Sequence, residues 1–186
     1  MIEEVKKQRK LLEILSTRKA KYIVGTILLS GLGIVLPRIF HILAGSSAGA
    51  TFLPMHIAIL IAALTFGAMS ASIVAGSSVI FSYLLTGMPS INRLPYMLIE
   101  LVIYAILLSL FNKKFNSYVS LIITMVLGRI IYAGVLIIST EVLGLSAYGI
   151  SVIQSVKVGL PGLVIQIACV PFISKIINER LKLKND

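Results

Sequence analysis

Long apolar runs separated by short polar breaks dominate this chain, and they leave few folds open to it. A helix that crosses a bilayer needs about 20 predominantly apolar residues. Six segments approach or reach that length: Tyr22 to Leu43, Phe52 to Phe66, Met69 to Leu85, Pro95 to Phe111, Tyr118 to Ser139 and Ile150 to Ile177. The second is short and runs into a bend at Gly67. A small-residue loop (Ala44 to Thr51), a Gly87-Met88-Pro89 turn, a Lys113-Lys114 turn and the stretch Glu141 to Gly149 separate the others. The reading is an all-α polytopic membrane domain of six transmembrane helices over residues 22–178. A basic cytoplasmic or interfacial segment (1–21) precedes it, and a cytoplasmic tail (179–186) follows.

Composition excludes the main alternatives. Apolar residues make up 58% of the 186 and charged residues 13%, against roughly half and a quarter in soluble domains; mean hydropathy is +1.00. The net charge of +10 is no sign of a nucleic-acid partner, because the cations sit at the ends and in one loop and do not stripe a soluble face. The lone Cys169 forms neither an internal disulfide framework nor a multi-thiolate metal site. Cations collect in cytoplasmic loops. Six spans put both termini on one side, and that side carries 13 of the 17 basic residues: Lys6, Lys7, Arg9, Lys10, Arg18, Lys19, Lys21, Lys113, Lys114, Lys175, Arg180, Lys182 and Lys184. The termini are therefore expected in the cytoplasm, with the chain in the plasma membrane. Ile2, Val5, Leu12 and Leu15 recur near helical spacing among the first cations, which suits a helix lying against anionic lipid. Ala48-Gly49-Ala50 is the one cleavage-like site, but Pro37, Arg38 and His41 interrupt the region before it, against a signal peptide.

The four cations left over, Arg38, Arg93, Arg129 and Lys157, carry the functional information, together with His41, His56, Asn92, Glu100, Gln154 and Gln166. Charge at membrane depth costs several kcal/mol, so such residues face a protein interior or a wet cavity. At 1.5 Å per residue, Glu100 lies about 9 Å below the outer surface, Lys157 at similar depth, Arg129 near the middle of its helix, and Arg38 and His41 near an outer helix end. Tyr96, Glu100 and Tyr104 share a helix face, as do Arg129 and Tyr132, and Gln154 and Lys157; Gln166 points the other way. One outward-opening pocket satisfies the set. Two readings stand for Glu100 and Arg129: an ion pair that locks two helices, or ligand contacts. Either way one carboxylate does not offset four cations, and the surplus favours an anionic ligand, for example a carboxylate held by a bidentate Arg. The substrate-binding candidates are Arg38, His41, His56, Asn92, Arg93, Tyr96, Glu100, Arg129, Tyr132, Gln154 and Lys157.

Small residues form a second pattern. Thr26, Ser30 and Gly33 share a face of the first helix, and Ala63, Gly67, Ala71 and Ala75 recur at every fourth position. Such stripes let helices approach closely, either within the chain or against a partner protein. No G-x-x-x-x-G-K-[ST], H-E-x-x-H or C-x-x-C occurs, which argues against a self-contained ATPase or a metalloprotease. Ser77 or Ser78 with His56 is the only loose catalytic pairing, and those serines read more economically as packing residues. The chain is expected to be no enzyme, with no metal and no cofactor of its own.

Three runs, Leu36-Pro37-Arg38-Ile39-Phe40-His41, Phe52-Leu53-Pro54-Met55-His56-Ile57 and Leu85-Thr86-Gly87-Met88-Pro89, resemble substrate-binding S components of energy-coupling factor (ECF) vitamin transporters. Leu98-Ile99-Glu100, Gly128-Arg129-Ile130-Ile131-Tyr132 and Gly159-Leu160-Pro161-Gly162 through Gln166 to Pro171 extend the resemblance over about residues 22 to 178. Arg38 stands where that family suggests an apolar residue, and Ala58 where it suggests proline. The resemblance implies capture of a vitamin at the outer face, docking on a membrane scaffold subunit that carries two cytoplasmic ATPases, and toppling in the bilayer to release the ligand inside. ATP is then hydrolysed by those partners, and Thr26, Ser30 and Gly33 would meet the scaffold. The cation surplus argues against thiamine, and the scarcity of outer aromatics argues against large flat rings. A small carboxylate such as pantothenate comes first; a neutral queuosine precursor or pyridoxine-like compound is the alternative. A self-sufficient carrier or channel and a non-transport membrane protein are the rival classes, although a carrier would often show internal repeats.

Overall fold

A computed structural model of the chain describes residues 17–45, 51–138 and 152–181, with side chains in the last group from Lys157 onward. Six helices account for nearly all of it: α1 (Arg18–Ala44), α2 (Pro54–Thr65), α3 (Ala68–Thr86), α4 (Leu94–Phe111), α5 (Ser117–Ile137) and α6 (Val152–Leu181). Among the described residues there is no strand. Five helices, α1, α3, α4, α5 and the Lys157–Leu181 part of α6, are long and apolar enough to cross a membrane.

The second expected span is different in kind. Helix α2 has only 12 residues, about 18 Å at 1.5 Å per residue, and 11 of them are buried. Local chemistry fixes its length. Pro54 occupies the first turn, where a missing N–H costs nothing, after Leu53 in the left-handed region at φ 48°. At the other end Gly67 takes φ +85°, which only glycine adopts without steric cost. Helix α2 is thus the axis of the molecule. It packs on α1, α3, α4 and α6, while α1–α3, α3–α4, α4–α5 and α5–α6 contacts build the wall around it.

The charged boundaries also move. Arg18, Lys19 and Lys21 form the first turn of α1, capped by Thr17, whose Oγ1 accepts from Ala20 N at 3.4 Å; they do not belong to a separate segment before the helix. Lys21 Nζ donates to Leu181 O at 3.0 Å, which brings the start of α1 and the end of α6 to the same end of the bundle. The expected segment before Thr17, the Ala48-Gly49-Ala50 site and Glu141 lie outside the described residues.

The outer face is apolar: Ile23, Ile27, Leu28, Ile42 and Leu43 on α1, and Leu84, Ile130 and Val164 elsewhere, are all more than 60% exposed, as a lipid-facing surface requires. Three buried hydroxyls are satisfied within their own helices. Thr26, Thr65 and Ser109 donate to carbonyls four residues back at 2.7–2.8 Å, removing the cost of an unpaired polar group in hydrocarbon.

The small-residue stripes pack within the chain itself. Gly33 is buried so tightly against Ser78 that an added Cβ would overlap that side chain. Ser30 joins Ser77 through their hydroxyls at 2.8 Å, and Thr26 is buried. Ala63, Ala71 and Ala75 lie in the core with 3% exposure or less, and Gly67 serves as the break between α2 and α3. The stripes bring α1, α2 and α3 into close contact with one another.

Candidate functional site

Four helix ends and one turn meet at the end of the bundle away from Lys21 and Leu181. The second half of α1, the start of α2, the end of α3, the turn to α4 and the first two turns of α4 enclose a cavity of about 710 Å³, and Arg129 and Tyr132 of α5 and Val158 of α6 complete its lining. That volume falls within the range of small-molecule sites, roughly 300–1,000 Å³. Apolar and backbone surface comes from Ile34, Pro37, Leu53, Pro54, Met55 and Met97, and polar surface from Arg38, His41, Asn92, Arg93, His56, Glu100 and Arg129.

The polar groups divide by depth. Arg38, Asn92 and Arg93 are exposed and His41 half-buried, so they frame the mouth. His56 (4% exposed) and Glu100 (6%) are buried at the floor. There Arg129 Nη1 sits 2.9 Å from Glu100 Oε1, with the two side chains 12% and 7% exposed. The sequence pattern behind this pair is Gly128-Arg129. A Cβ at Gly128 would fall 2.5 Å from Tyr104 Cε1, so glycine lets the Tyr104 ring lie against α5 and brings the next residue within reach of Glu100. Tyr104 also stacks edge-on against His56, with ring centroids 5.6 Å apart. Both nitrogens of His56, Tyr104 Oη, and Nε and Nη2 of Arg129 are buried without a hydrogen-bond partner among the described residues. A buried unsatisfied polar atom costs roughly 1–3 kcal/mol, so a cluster of them beside a cavity is a concentration of unused hydrogen-bonding capacity.

The wall beside α2 is held from α6. Gln166 Nε2 donates to Leu53 O at 3.3 Å, and Gly162 lies so close to the Thr51 and Phe52 backbone that a Cβ would come within 2.6–2.7 Å of it. On the other side Phe40 meets Phe52 at 5.4 Å. These contacts fix the turn that presents Leu53 to His56 to the cavity.

Of the residues singled out from sequence, Arg38, His41, His56, Asn92, Arg93, Glu100, Arg129 and Tyr132 line this one cavity. Tyr96 does not: it is buried beside Tyr132 and Leu136. Lys157 does not either. It is exposed, and among the described residues of α6 it is the neighbouring Val158 that lines the cavity, because consecutive helical residues point about 100° apart. The side chain of Gln154 lies outside those described. Sequence reasoning overlooked Ser82, Thr86 and the Gly87–Ser90 turn, which contribute polar and backbone surface. Their only sequence signal was the turn itself. Among the described residues no group of three or more His, Cys, Asp or Glu is placed to hold a metal ion. Comparisons of the chain with family models, curated proteins and solved structures gave no match.

Proposed function

We propose that this chain is the ligand-capturing membrane subunit of an ATP-driven micronutrient uptake transporter of the ECF type, taking a small organic acid such as pantothenate from outside the cell. The observation that carries this reading is the position and charge of the cavity. It opens at the end of the bundle opposite the basic ends of α1 and α6, and among the described residues three arginines and one glutamate line it. Cations gather on the cytoplasmic side of membrane proteins, which supports a cytoplasmic basic end and an outward-facing mouth. In this reading the scaffold and the two ATPases are separate chains. The lipid-facing helices slide against the scaffold, and no chemistry is done on the ligand.

Uptake of radiolabelled pantothenate tests the assignment. The chain reconstituted alone in liposomes should bind the vitamin and not accumulate it, and coexpression with an ECF scaffold and its ATPases should restore ATP-dependent accumulation. Transport by the chain alone would make it a self-sufficient carrier and overturn the reading.

A further inference from the structure

The charges along the cavity are sorted by depth, and their order dictates which way round a ligand enters. At the floor, Arg129 is matched by Glu100 at 2.9 Å, so the deepest part of the cavity is charge-balanced and rich in hydrogen-bonding groups. His56, buried beside the pair, has neither ring nitrogen engaged by any described residue. At the mouth, Arg38 is exposed on the cavity rim and makes no ion pair with any described acidic side chain. Arg93 lines the same rim. Among the described residues, the positive charge that no acidic side chain offsets, that of Arg38, is therefore outermost.

We propose that the site takes an elongated monoanion acid-end outward: the carboxylate rests against Arg38 at the mouth, and an uncharged hydrogen-bonding end, an amide, ureido group or pair of hydroxyls, reaches the floor of His56, Glu100 and Arg129. The inference rests on the capture reading above and specifies its ligand. A carboxylate pushed to the floor would meet Glu100 and suffer like-charge repulsion at low dielectric. At the mouth it gains a charge-assisted hydrogen bond to an arginine whose charge no described residue offsets. A neutral end at the floor adds no charge to a pair already balanced, and both a donor and an acceptor find complementary groups there. The floor thus selects for shape and hydrogen bonding, and the rim for charge.

Two pairs of probes separate the ends: pantothenate with pantothenol, and biotin with biotinol, each pair differing only in a carboxylate replaced by a primary alcohol. Affinities are measured by calorimetry on the detergent-solubilised full chain, on Arg38→Met, and on the double variant Glu100→Gln/Arg129→Met, which removes both floor charges together and strands neither. In the unaltered protein the acid should bind better than its alcohol in at least one pair. Arg38→Met should lower the acid's affinity about tenfold, equivalent to some 1.4 kcal/mol, leave the alcohol's nearly unchanged, and so erase the preference. The double variant should weaken acid and alcohol alike and keep their ratio. Loss of the acid preference in the double variant but not in Arg38→Met would place the carboxylate at the floor; it would overturn this orientation and leave the capture reading standing. Alcohols binding as well as acids to the unaltered protein would overturn the anionic class. A protein with intact thermal unfolding that binds none of the four would overturn capture of such acids altogether.

Discussion

Glycines divide into two kinds here, and the division is testable. At Gly162 the neighbours of an added methyl are backbone atoms, Thr51 O at 2.6 Å and Phe52 C and O at 2.7 Å. Backbone does not swing aside as a side chain does, so Gly162→Ala must push α6 away from the turn that carries Leu53. Overpacking of this kind costs about 1–3 kcal/mol. Gly134, also inside a helix, has nothing within 4 Å of its Cβ position. There alanine should be neutral or stabilise by about 0.5–1 kcal/mol, because it restricts the unfolded chain and favours helix. Thermal unfolding in detergent should show Gly162→Ala melting several degrees below the parent and Gly134→Ala at or above it. Equal melting temperatures for the two would mean that α6 does not lie against the turn. The Glu100–Arg129 pair belongs to the same scale: removing one partner strands the other charge in a buried site, whereas removing both does not, which is why only the double variant reads out ligand contacts cleanly.

Helix α2 shows what an element's surroundings do to the meaning of its sequence. Ile59 on α2 has 0% exposure and Ile73 on α3 has 51%, yet both are isoleucines in apolar runs. Ile59→Ala should cost about 2–5 kcal/mol through a cavity at the molecular axis, while Ile73→Ala trades protein–lipid contact for lipid–lipid contact and should change little. A chemical-denaturation midpoint in mixed micelles distinguishes them; similar losses at the two sites would deny α2 its central place. The same contrast explains what was legible in the sequence. Helix existence follows from hydropathy and the breaks at Gly67 and Gly87 from turn chemistry, whereas the caps Thr17 and Asn116 start α1 and α5 ahead of the expected Tyr22 and Tyr118. Burial against protein and exposure to lipid both select apolar residues, so hydropathy alone could not mark α2 as the core. Small-residue stripes suffer the same ambiguity, since Gly33 and Ala75 suit close packing whether the neighbour is α3 or another chain. The polar set was more readable, because charge is costly in either environment and must gather at a cavity. Even so, Lys157 and Tyr96 were misplaced: helical phase without the neighbouring helices cannot say which part of a circumference faces inward. Tyr104, behind the floor, was visible on the face of Glu100, but its role depends on Gly128 across the helix boundary.

At the scale of the molecule, the antiparallel run of helices makes the two ends of the bundle chemically unlike. One end holds Arg18, Lys19, Lys21, the Lys113-Lys114 turn and the end of α6, where Arg180 stands in the last turn. The other holds the cavity and the Gly87–Arg93 turn, with arginines lining the cavity and not crowding an open loop. Cations placed in a ligand site contribute little to orientation compared with those in short flanking loops, so the first end should face the cytoplasm. Single-cysteine labelling decides the matter. Cys169 is exposed on α6, so Cys169→Ser supplies the background, and Ser90→Cys and Lys113→Cys each add one thiol at an exposed turn. In intact cells a membrane-impermeant maleimide should modify Ser90→Cys and spare Lys113→Cys until the membrane is permeabilised. Bound ligand should slow the reaction at Ser90→Cys, because Ser90 lines the cavity. The reverse pattern would open the cavity to the cytoplasm, and a cup open to the cytoplasm has no means of collecting a nutrient from outside.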